Sequence, residues 1–364
     1  MPAAFLTPYV CWAAITVAAL GLVYLALAFR LYPSFLIPAA AGMLLANLPS
    51  PGMAAALDPL LRPIQAGLGH GIYPSLILLC RGAAFDLSYL ISHPRQLFLG
   101  LLNPAAFFAV LGLGWALGLA LPLAGAGSLI GSGDGLPSIF LSGHLAREMV
   151  GPVGLAAVVL AGLIPLLQPP LVRLLTTRRE RMIRMAGARK VAKRENIFFA
   201  LVGLILTGLL VPGAMALTGM FFLGNLLKES GVVERLARTL ANRVGDILVM
   251  LLGLAVGSSC RAADLLTATF GKVLILGVAA LVLVTLVGIV AIRVANLFFR
   301  EKINPLVGAA ATALIPDAAL LSQILGRREN LHLNLFPHAL ASSQAALLAA
   351  TLTAGLFWSI LGGR

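Results

Sequence analysis

An aspartate in a glycine-rich interruption of apolar sequence is the residue of this chain most suited to chemistry. The run Ile130-Gly-Ser-Gly-Asp-Gly-Leu-Pro-Ser-Ile-Phe140 lies between two long apolar segments, which places Asp134 at or near membrane depth. A helix interior loses about 1 kcal/mol for each glycine and about 3 kcal/mol for a proline. The run therefore predicts a broken or re-entrant helix whose unwound backbone lines a polar cavity. A glycine-rich loop at the membrane surface is the plainer alternative.

Asp134 in such a cavity could exchange a cation for a proton. A bound cation favours the ionised carboxylate, whereas burial away from water favours the protonated form. Ionisable side chains inside a membrane commonly belong to ion or proton pathways, since an isolated charge there costs at least about 2.5–3.5 kcal/mol. Ser138 offers a hydroxyl oxygen to the same cavity. The backbone of the turn would come from three glycines, Gly131, Gly133 and Gly135.

A second interrupted stretch, residues 303–317, supplies further oxygen atoms in the other half of the chain. It is rich in small residues, includes Gly308 and is bounded by prolines. Its oxygen-bearing side chains include Asn304, Thr312 and Asp317. An asparagine before a proline also forms turns, and an aspartate after a proline also caps helices. His338 opens the last apolar segment and could relay a proton, although a lone histidine at a helix start is more often structural.

Composition identifies the kind of protein that must position these residues. The chain has 364 residues, of which 60% are hydrophobic and 11% charged, with a mean hydropathy of +1.00. A soluble domain averages about 45–50% apolar and about 25% charged residues. We therefore predict an all-α polytopic membrane protein, with roughly nine to eleven spanning or half-spanning helices at ~20 residues each.

The chain forms one integral membrane domain, residues 1–364, with two halves. The first half, residues 1–172, contains the broken-helix motif at 125–145, and the second, residues 196–364, contains the motif at 303–321. Two interrupted helices in corresponding halves are typical of transporters built from inverted repeats. A primary ATP-driven pump is disfavoured, because the pair Gly271-Lys272 is followed by Val273 and lacks the spacing of a phosphate-binding loop.

The connection between the halves, residues 173–195, carries a dense positive charge within a chain of net charge +13. Nine basic residues lie between Arg173 and Arg194, against Glu180 alone. The positive-inside rule predicts that this loop is cytoplasmic and touches anionic lipid of the inner (cytoplasmic) membrane. Nucleic-acid binding is disfavoured, because no aromatic platform or recognition fold accompanies the charge.

Four ordered stretches resemble the β subunits of the sodium-translocating decarboxylases, which act on oxaloacetate, methylmalonyl-CoA, glutaconyl-CoA or malonate. The run Gly131-Ser-Gly-Asp-Gly-Leu-Pro-Ser-Ile-Phe140 is similar to the family's Gly-Gly-Ala-Asp-Gly-Pro-Thr-Ala-Ile-Phe. Three more similar segments are Pro165–Arg181, Gly253-Leu-Ala-Val-Gly257 and Lys302-Ile-Asn-Pro-Leu-Val-Gly-Ala-Ala310. The resemblance covers essentially the whole chain.

The resemblance implies a membrane subunit that decarboxylates carboxybiotin and couples this reaction to Na⁺ export. It implies that Asp134 and Asn304 are the sodium and coupling residues, with Asp134 catalytic. The biotin would be carried by a partner, since this chain has no Met-Lys-Met biotinylation sequence. The expected partners are a biotin-carrier and carboxyltransferase subunit, a small membrane subunit and further copies of this chain. The carboxylated substrate is left open.

The chain departs from the family pattern at several polar positions. Ala313 stands at the family's serine, Val158 and Leu160 at tyrosines, Leu320 at an arginine and Ser343 at an asparagine. Ser138, Thr312 and Asp317 could restore oxygen atoms locally. The lost oxygens leave an alternative open: a secondary ion or solute carrier that keeps the fold without decarboxylase activity, or a proton-coupled or uncoupled decarboxylase.

Overall fold

The architecture consists of helices joined by turns. The computed structural model describes residues 2–29, 35–133, 135–185, 187, 189–298, 300–312 and 314–362. Strands are absent from these ranges. The all-α class predicted from composition is confirmed.

The first half begins with one long helix and continues with short ones, which glycine and proline interrupt. The helices are α1 (Pro2–Phe29), α2 (Leu36–Ala46), α3 (Pro51–Gly69), α4 (Ile72–Ala84), α5 (Ser88–Ser92), α6 (Pro94–Gly100), α7 (Asn103–Ala116), α8 (Leu121–Ser128), α9 (Leu136–Leu145) and α10 (Val150–Leu175). α10 runs through three prolines before it reaches the basic loop.

The second half has the same mixture of long and short helices. They are α11 (Arg178–Arg181), α12 (Lys193–Leu210), α13 (Met220–Ser230), α14 (Glu234–Thr239), α15 (Gly245–Ser258), α16 (Ala262–Leu265), α17 (Ala268–Phe298), α18 (Pro305–Ala309), α19 (Asp317–Glu329) and α20 (Phe336–Leu361). Between α12 and α13 a 3₁₀ turn and a π turn follow Pro212. The sequence predicts an interruption at this proline, because it lacks the N–H that would continue the helix.

Five helical segments of the described chain are long and apolar enough to cross a membrane. They are Pro94–Ala116, Arg147–Leu175, Glu234–Ser258, Ala268–Phe298 and Phe336–Leu361. Four shorter apolar helices accompany them, at Trp12–Tyr24, Leu36–Ala46, Ile72–Ala84 and Leu121–Ser132. Large apolar side chains such as Leu209 and Phe298 are 73% and 80% exposed. A surface of this kind suits contact with lipid, as the membrane prediction requires.

Paired glycines let helices from the two halves approach closely. A Cβ on Gly42 of α2 would lie 2.5 Å from the Leu254 carbonyl oxygen of α15, and one on Gly257 would lie 1.9 Å from that of Ala39. The same exchange joins α4 and α13, where Gly82 and Gly224 each face the partner's backbone. Small residues at such crossings bring backbones into van der Waals contact where apolar burial cannot drive helix association.

Candidate ion site

The first predicted break lies where the sequence places it. After α8, residues Leu129–Ser132 form a 3₁₀ turn that ends at Gly133, and α9 begins one residue after Gly135. Both glycines have left-handed backbone conformations, with φ of +83° and +72°. Such angles cost other L-residues about 1–2 kcal/mol. Asp134, between them, lies outside the described residues.

Two further glycines of the motifs are required by close packing. A Cβ on Gly131 would lie 2.4 Å from the Ala280 backbone of α17. One on Gly308 of α18 would lie 2.3 Å from the Gly288 carbonyl oxygen of the same helix α17. Both broken stretches are thus held against α17, the longest helix described here.

The second break follows the five-residue helix α18, and side chains from three other helices fasten its backbone. The amide of Gln168 in α10 donates to the carbonyl of Ala309. The hydroxyl of Ser343 in α20 donates to the carbonyl of Ala310 at 2.6 Å. The amide of Asn103 in α7 donates to the carbonyl of Ala311 at 2.7 Å. Unwound carbonyls buried in a membrane need such partners. We call the last residue of α18 and the three residues that follow it, 309–312, the unwound segment.

The two breaks meet at Gly133 and Thr312. A Cβ on Gly133 would lie 3.4 Å from the Cβ of Thr312 and 3.0 Å from the Cδ1 of Ile164. Ser132 precedes Gly133 directly, and Asn103 and Gln168 bond the residues just before Thr312. Residues far apart in sequence are therefore brought to one place between α7, α10 and α17.

Four side-chain oxygens gathered there lack hydrogen-bond partners in the part of the chain that the structure describes. They are Ser132 Oγ, Thr312 Oγ1, Asn103 Oδ1 and Gln168 Oε1. Their side chains are 0–2% exposed. A buried oxygen without a partner costs roughly 1–3 kcal/mol, so these four oxygens are candidate ligands for a cation. Hard cations prefer hydroxyl, amide and carbonyl oxygens of this kind. We call these four residues the oxygen cluster.

The amide of Asn304 holds α18 to the basic loop. Its Nδ2 donates to the carbonyls of Arg181 and Ile183 at 2.7 and 2.9 Å, and its Oδ1 accepts the Leu306 N–H at 3.0 Å. Asn304 is fully buried and caps α18. These bonds establish a positioning role beside the ion-ligand role, which stays a prediction.

The other candidate residues occupy different surroundings. The hydroxyl of Ser138 donates to the carbonyl of Ala126 at 2.7 Å and so joins α9 to α8 across the break. Asp317 begins α19 and lines a cavity of about 620 Å³ with Ile164 and Leu314, which also adjoin Gly133. His338 is 4% exposed and its ring centre lies 4.3 Å from that of His93.

The structure describes four of the five side chains at the positions that depart from the family pattern. Val158 and Leu160 are buried in the apolar core, and Leu320 lines the Asp317 cavity. Ser343 keeps a polar function, since its hydroxyl binds the unwound segment. Ala313 lies outside the described residues. Ser343, at the position where the family pattern expects an asparagine, therefore stabilises the unwound segment.

The basic loop is fastened to the membrane helices by ion pairs. Glu180 accepts hydrogen bonds from the guanidinium of Arg293 in α17 at 2.9 and 2.7 Å. These bonds lower the pKa of Glu180 from 4.5 to about 2, against the opposing effect of burial. Arg181 pairs with Glu329 of α19 at 2.8 Å. The loop therefore fixes the positions of α17, α18 and α19 on one face of the molecule.

Sequence reasoning missed three members of the oxygen cluster: Ser132, Asn103 and Gln168. A signal was available, because each is a polar residue within predominantly apolar sequence. Polar groups at membrane depth are expensive and are commonly functional. Their convergence depends on packing between helices that are distant in sequence.

Comparisons with known proteins identify the family to which the chain belongs. The family model described as the Na⁺-transporting oxaloacetate decarboxylase beta subunit matches residues 12–361. The oxaloacetate decarboxylase beta chain of Klebsiella pneumoniae is 40% identical over 298 residues, which cover 80% of this chain and 69% of that protein.

Two relatives with other names match over more of their length. The methylmalonyl-CoA decarboxylase subunit beta of Propionigenium modestum is 36% identical over 365 residues, covering 93% of this chain and 92% of that protein. The glutaconyl-CoA decarboxylase subunit beta of Acidaminococcus fermentans is 33% identical over 344 residues, covering 94% and 91%. The chain is thus similar to relatives whose names give three different substrates.

Proposed function

The chain belongs to the family of Na⁺-transporting decarboxylase β subunits, and we propose that it decarboxylates carboxybiotin and exports Na⁺ with the free energy released. The similar proteins are all named as decarboxylase subunits. Their names favour a decarboxylase over a carrier that has lost the chemistry. Because their substrates differ, the acid that feeds biotin is set by a partner subunit.

One observation carries the sodium part of the proposal: the oxygen cluster at the meeting point of the two broken helices. Four buried oxygens there lack partners among the described residues, although the amide nitrogens of Asn103 and Gln168 donate to the unwound segment. A dehydrated Na⁺ would satisfy them together. The cluster therefore supports Na⁺ as the transported ion.

Asp134 supplies the charge that a site of neutral oxygens lacks. It lies in sequence between Gly133, which adjoins Thr312, and Gly135. Decarboxylation breaks the N–C bond of carboxybiotin, leaves the electron pair on nitrogen, releases CO₂ and consumes one proton. A carboxyl group that releases its proton as it takes up Na⁺ would join the two processes.

The depth of the oxygen cluster suits a site reached from the cytoplasm. Gln168 lies seven residues before the end of α10, which is about 10 Å along the helix axis. The basic loop follows directly, and its charge favours the cytoplasmic side. We place the chain in the inner membrane, with the biotin carrier and carboxyltransferase subunit on the cytoplasmic side, a small membrane subunit beside it and further copies of the chain as partners.

The test is decarboxylation of free carboxybiotin by the purified complex in liposomes, with and without Na⁺. Wild-type protein is expected to be stimulated by Na⁺ and to move it across the membrane, whereas Asp134→Asn is expected to lose both activities. Decarboxylation that ignores Na⁺ would contradict the coupling. A folded complex without any decarboxylation would favour a carrier.

A further inference from the structure

A second polar cavity opens on the face that carries the basic loop, apart from the oxygen cluster. Its volume is about 590 Å³. It lies between the turn that joins α5 to α6, the loop between α11 and α12, the segment before α18, and the start of α20. Its lining includes His93, Arg95, Gln96, Arg184, Lys302 and His338. We call this cavity the basic pocket.

The wall of the basic pocket contains a buried amide with a vacant acceptor. Gln96 is 2% exposed and its Nε2 lies 3.3 Å from His338 Nδ1. Its Oε1 has no hydrogen-bond partner within the described ranges. Since an unpartnered buried carbonyl is costly, this atom indicates a ligand that donates a hydrogen bond.

Charge around the pocket indicates that the same ligand is an anion. Four basic side chains and one acidic side chain line it: Arg95, Arg184, Arg189, Lys302 and Glu301. Arg189 is paired with Glu195, and Arg95 lies 3.6 Å from Glu301. Arginine suits planar carboxylates because its guanidinium can form two parallel hydrogen bonds.

We infer that the basic pocket receives the ureido ring of carboxybiotin. The ring offers one N–H donor, which matches Gln96 Oε1, and its carboxylate matches Arg184 and Lys302. This assignment rests on the proposed function. A ureido carboxylate thus uses both features of the pocket, because its N–H matches the vacant acceptor and its charge matches the basic lining.

The geometry joins this pocket to the oxygen cluster through α20. His338 in the pocket and Ser343, which holds the carbonyl of Ala310, are five residues apart on that helix. Five residues correspond to about 7.5 Å along the axis. The pocket wall at His338 therefore lies about one and a half helical turns along α20 from the side chain that holds the unwound segment, so the decarboxylation site and the ion site share one helix.

The test measures KM and kcat of the intact complex for free carboxybiotin in three variants. Gln96→Leu removes the acceptor and is expected to raise KM about 2- to 12-fold. Arg184→Gln removes an exposed pocket charge and is expected to raise KM about 2- to 5-fold. The matched control is Arg179→Gln, which removes an equal charge from the same exposed loop outside the pocket lining.

A direct binding measurement separates the pocket from the catalytic proposal. Binding of free biotin to the wild-type complex is followed by saturation-transfer NMR, with thermal melting as the check on folding. We expect biotin to bind and Gln96→Leu to weaken it, even in a preparation that does not decarboxylate. An unchanged KM in both variants, together with unchanged biotin binding in Gln96→Leu, would overturn the assignment. So would equal effects of Arg184→Gln and Arg179→Gln, since these would reflect bulk charge alone.

Discussion

Replacement of Thr312 by valine is expected to stabilise the folded protein in the absence of Na⁺ and to weaken its binding of Na⁺. Thr312 is fully buried, and its hydroxyl has no partner in the described part of the chain. Valine has nearly the same shape and no hydroxyl. Without Na⁺, the variant should regain some of the roughly 1–3 kcal/mol that an unpaired buried oxygen costs. Its melting temperature in sodium-free buffer should therefore equal or exceed that of wild type.

With Na⁺ present, the difference in stability between Thr312→Val and wild type should shrink or change sign. Loss of one contact to a charged ligand costs about 1.5–3 kcal/mol, which raises the sodium dissociation constant about 10- to 150-fold. At 100 times the wild-type dissociation constant, Na⁺ stabilises wild type by about 2.7 kcal/mol and the variant by only about 0.3–1.4 kcal/mol. The two proteins thus respond differently to the same salt.

The assay is thermal melting in one detergent, titrated with NaCl against choline chloride at constant ionic strength. The matched control is Thr285→Val on α17. Thr285 is also fully buried, but its hydroxyl donates to the carbonyl of Leu281 at 2.9 Å. The control should keep the wild-type response to Na⁺. If Thr312→Val melts earlier than wild type without Na⁺, or responds to Na⁺ as wild type does, Thr312 is not an ion ligand.

Three further substitutions test the supporting structure by melting curves. Gly133→Ala should lower the free energy of unfolding by about 1–2 kcal/mol, because φ at Gly133 is +83°. The control Gly112→Ala lies in open space on α7 and should be neutral or raise that free energy by up to about 1 kcal/mol. Equal effects of the two substitutions would contradict the left-handed turn. Arg293 lowers the pKa of Glu180 to about 2, so the contribution of Glu180 to stability is complete above pH 4.5 and is lost as pH falls towards 2. Glu180→Gln should therefore reduce the loss of stability that wild type shows between pH 4.5 and 2. An unchanged pH dependence in the variant would refute the pairing. Asn304→Asp keeps the cap oxygen but loses two N–H bonds to loop carbonyls. It should cost about 1–3 kcal/mol for each carbonyl left unpaired, and a stable variant with altered sodium affinity would instead favour a direct ligand role.

The positions of the two helix breaks could be predicted because their causes are local. Glycine permits the left-handed backbone at Gly133 and Gly135. Proline fixes φ and removes a donor at Pro212 and Pro305, whatever the rest of the chain does. The break motifs, the membrane class and the basic loop all follow from composition and order. The inverted repeat and the division into halves stay predictions, since they concern how distant segments are related.

The roles of Asn304 and Ser343 show what sequence leaves open. The amide of Asn304 is turned towards two loop carbonyls, and the Ser343 hydroxyl binds the unwound segment. A polar side chain binds an ion or a backbone group according to which lies within about 3 Å. The residue type shows that a side chain can form hydrogen bonds, but only the structure shows which group it bonds to.

By itself, the sequence determined the class of helical membrane protein and the two interrupted stretches, and it predicted a cytoplasmic basic loop and an acidic residue, Asp134, at membrane depth. Tertiary structure alone decided that Asn103, Ser132, Gln168 and Thr312 come together and that their oxygens lack partners among the described residues. The reason is physical: a helix break depends on the torsional preferences of a few adjacent residues, whereas a ligand set depends on how close the glycine-lined crossings let helices approach. Those distances belong to pairs of residues far apart in the chain.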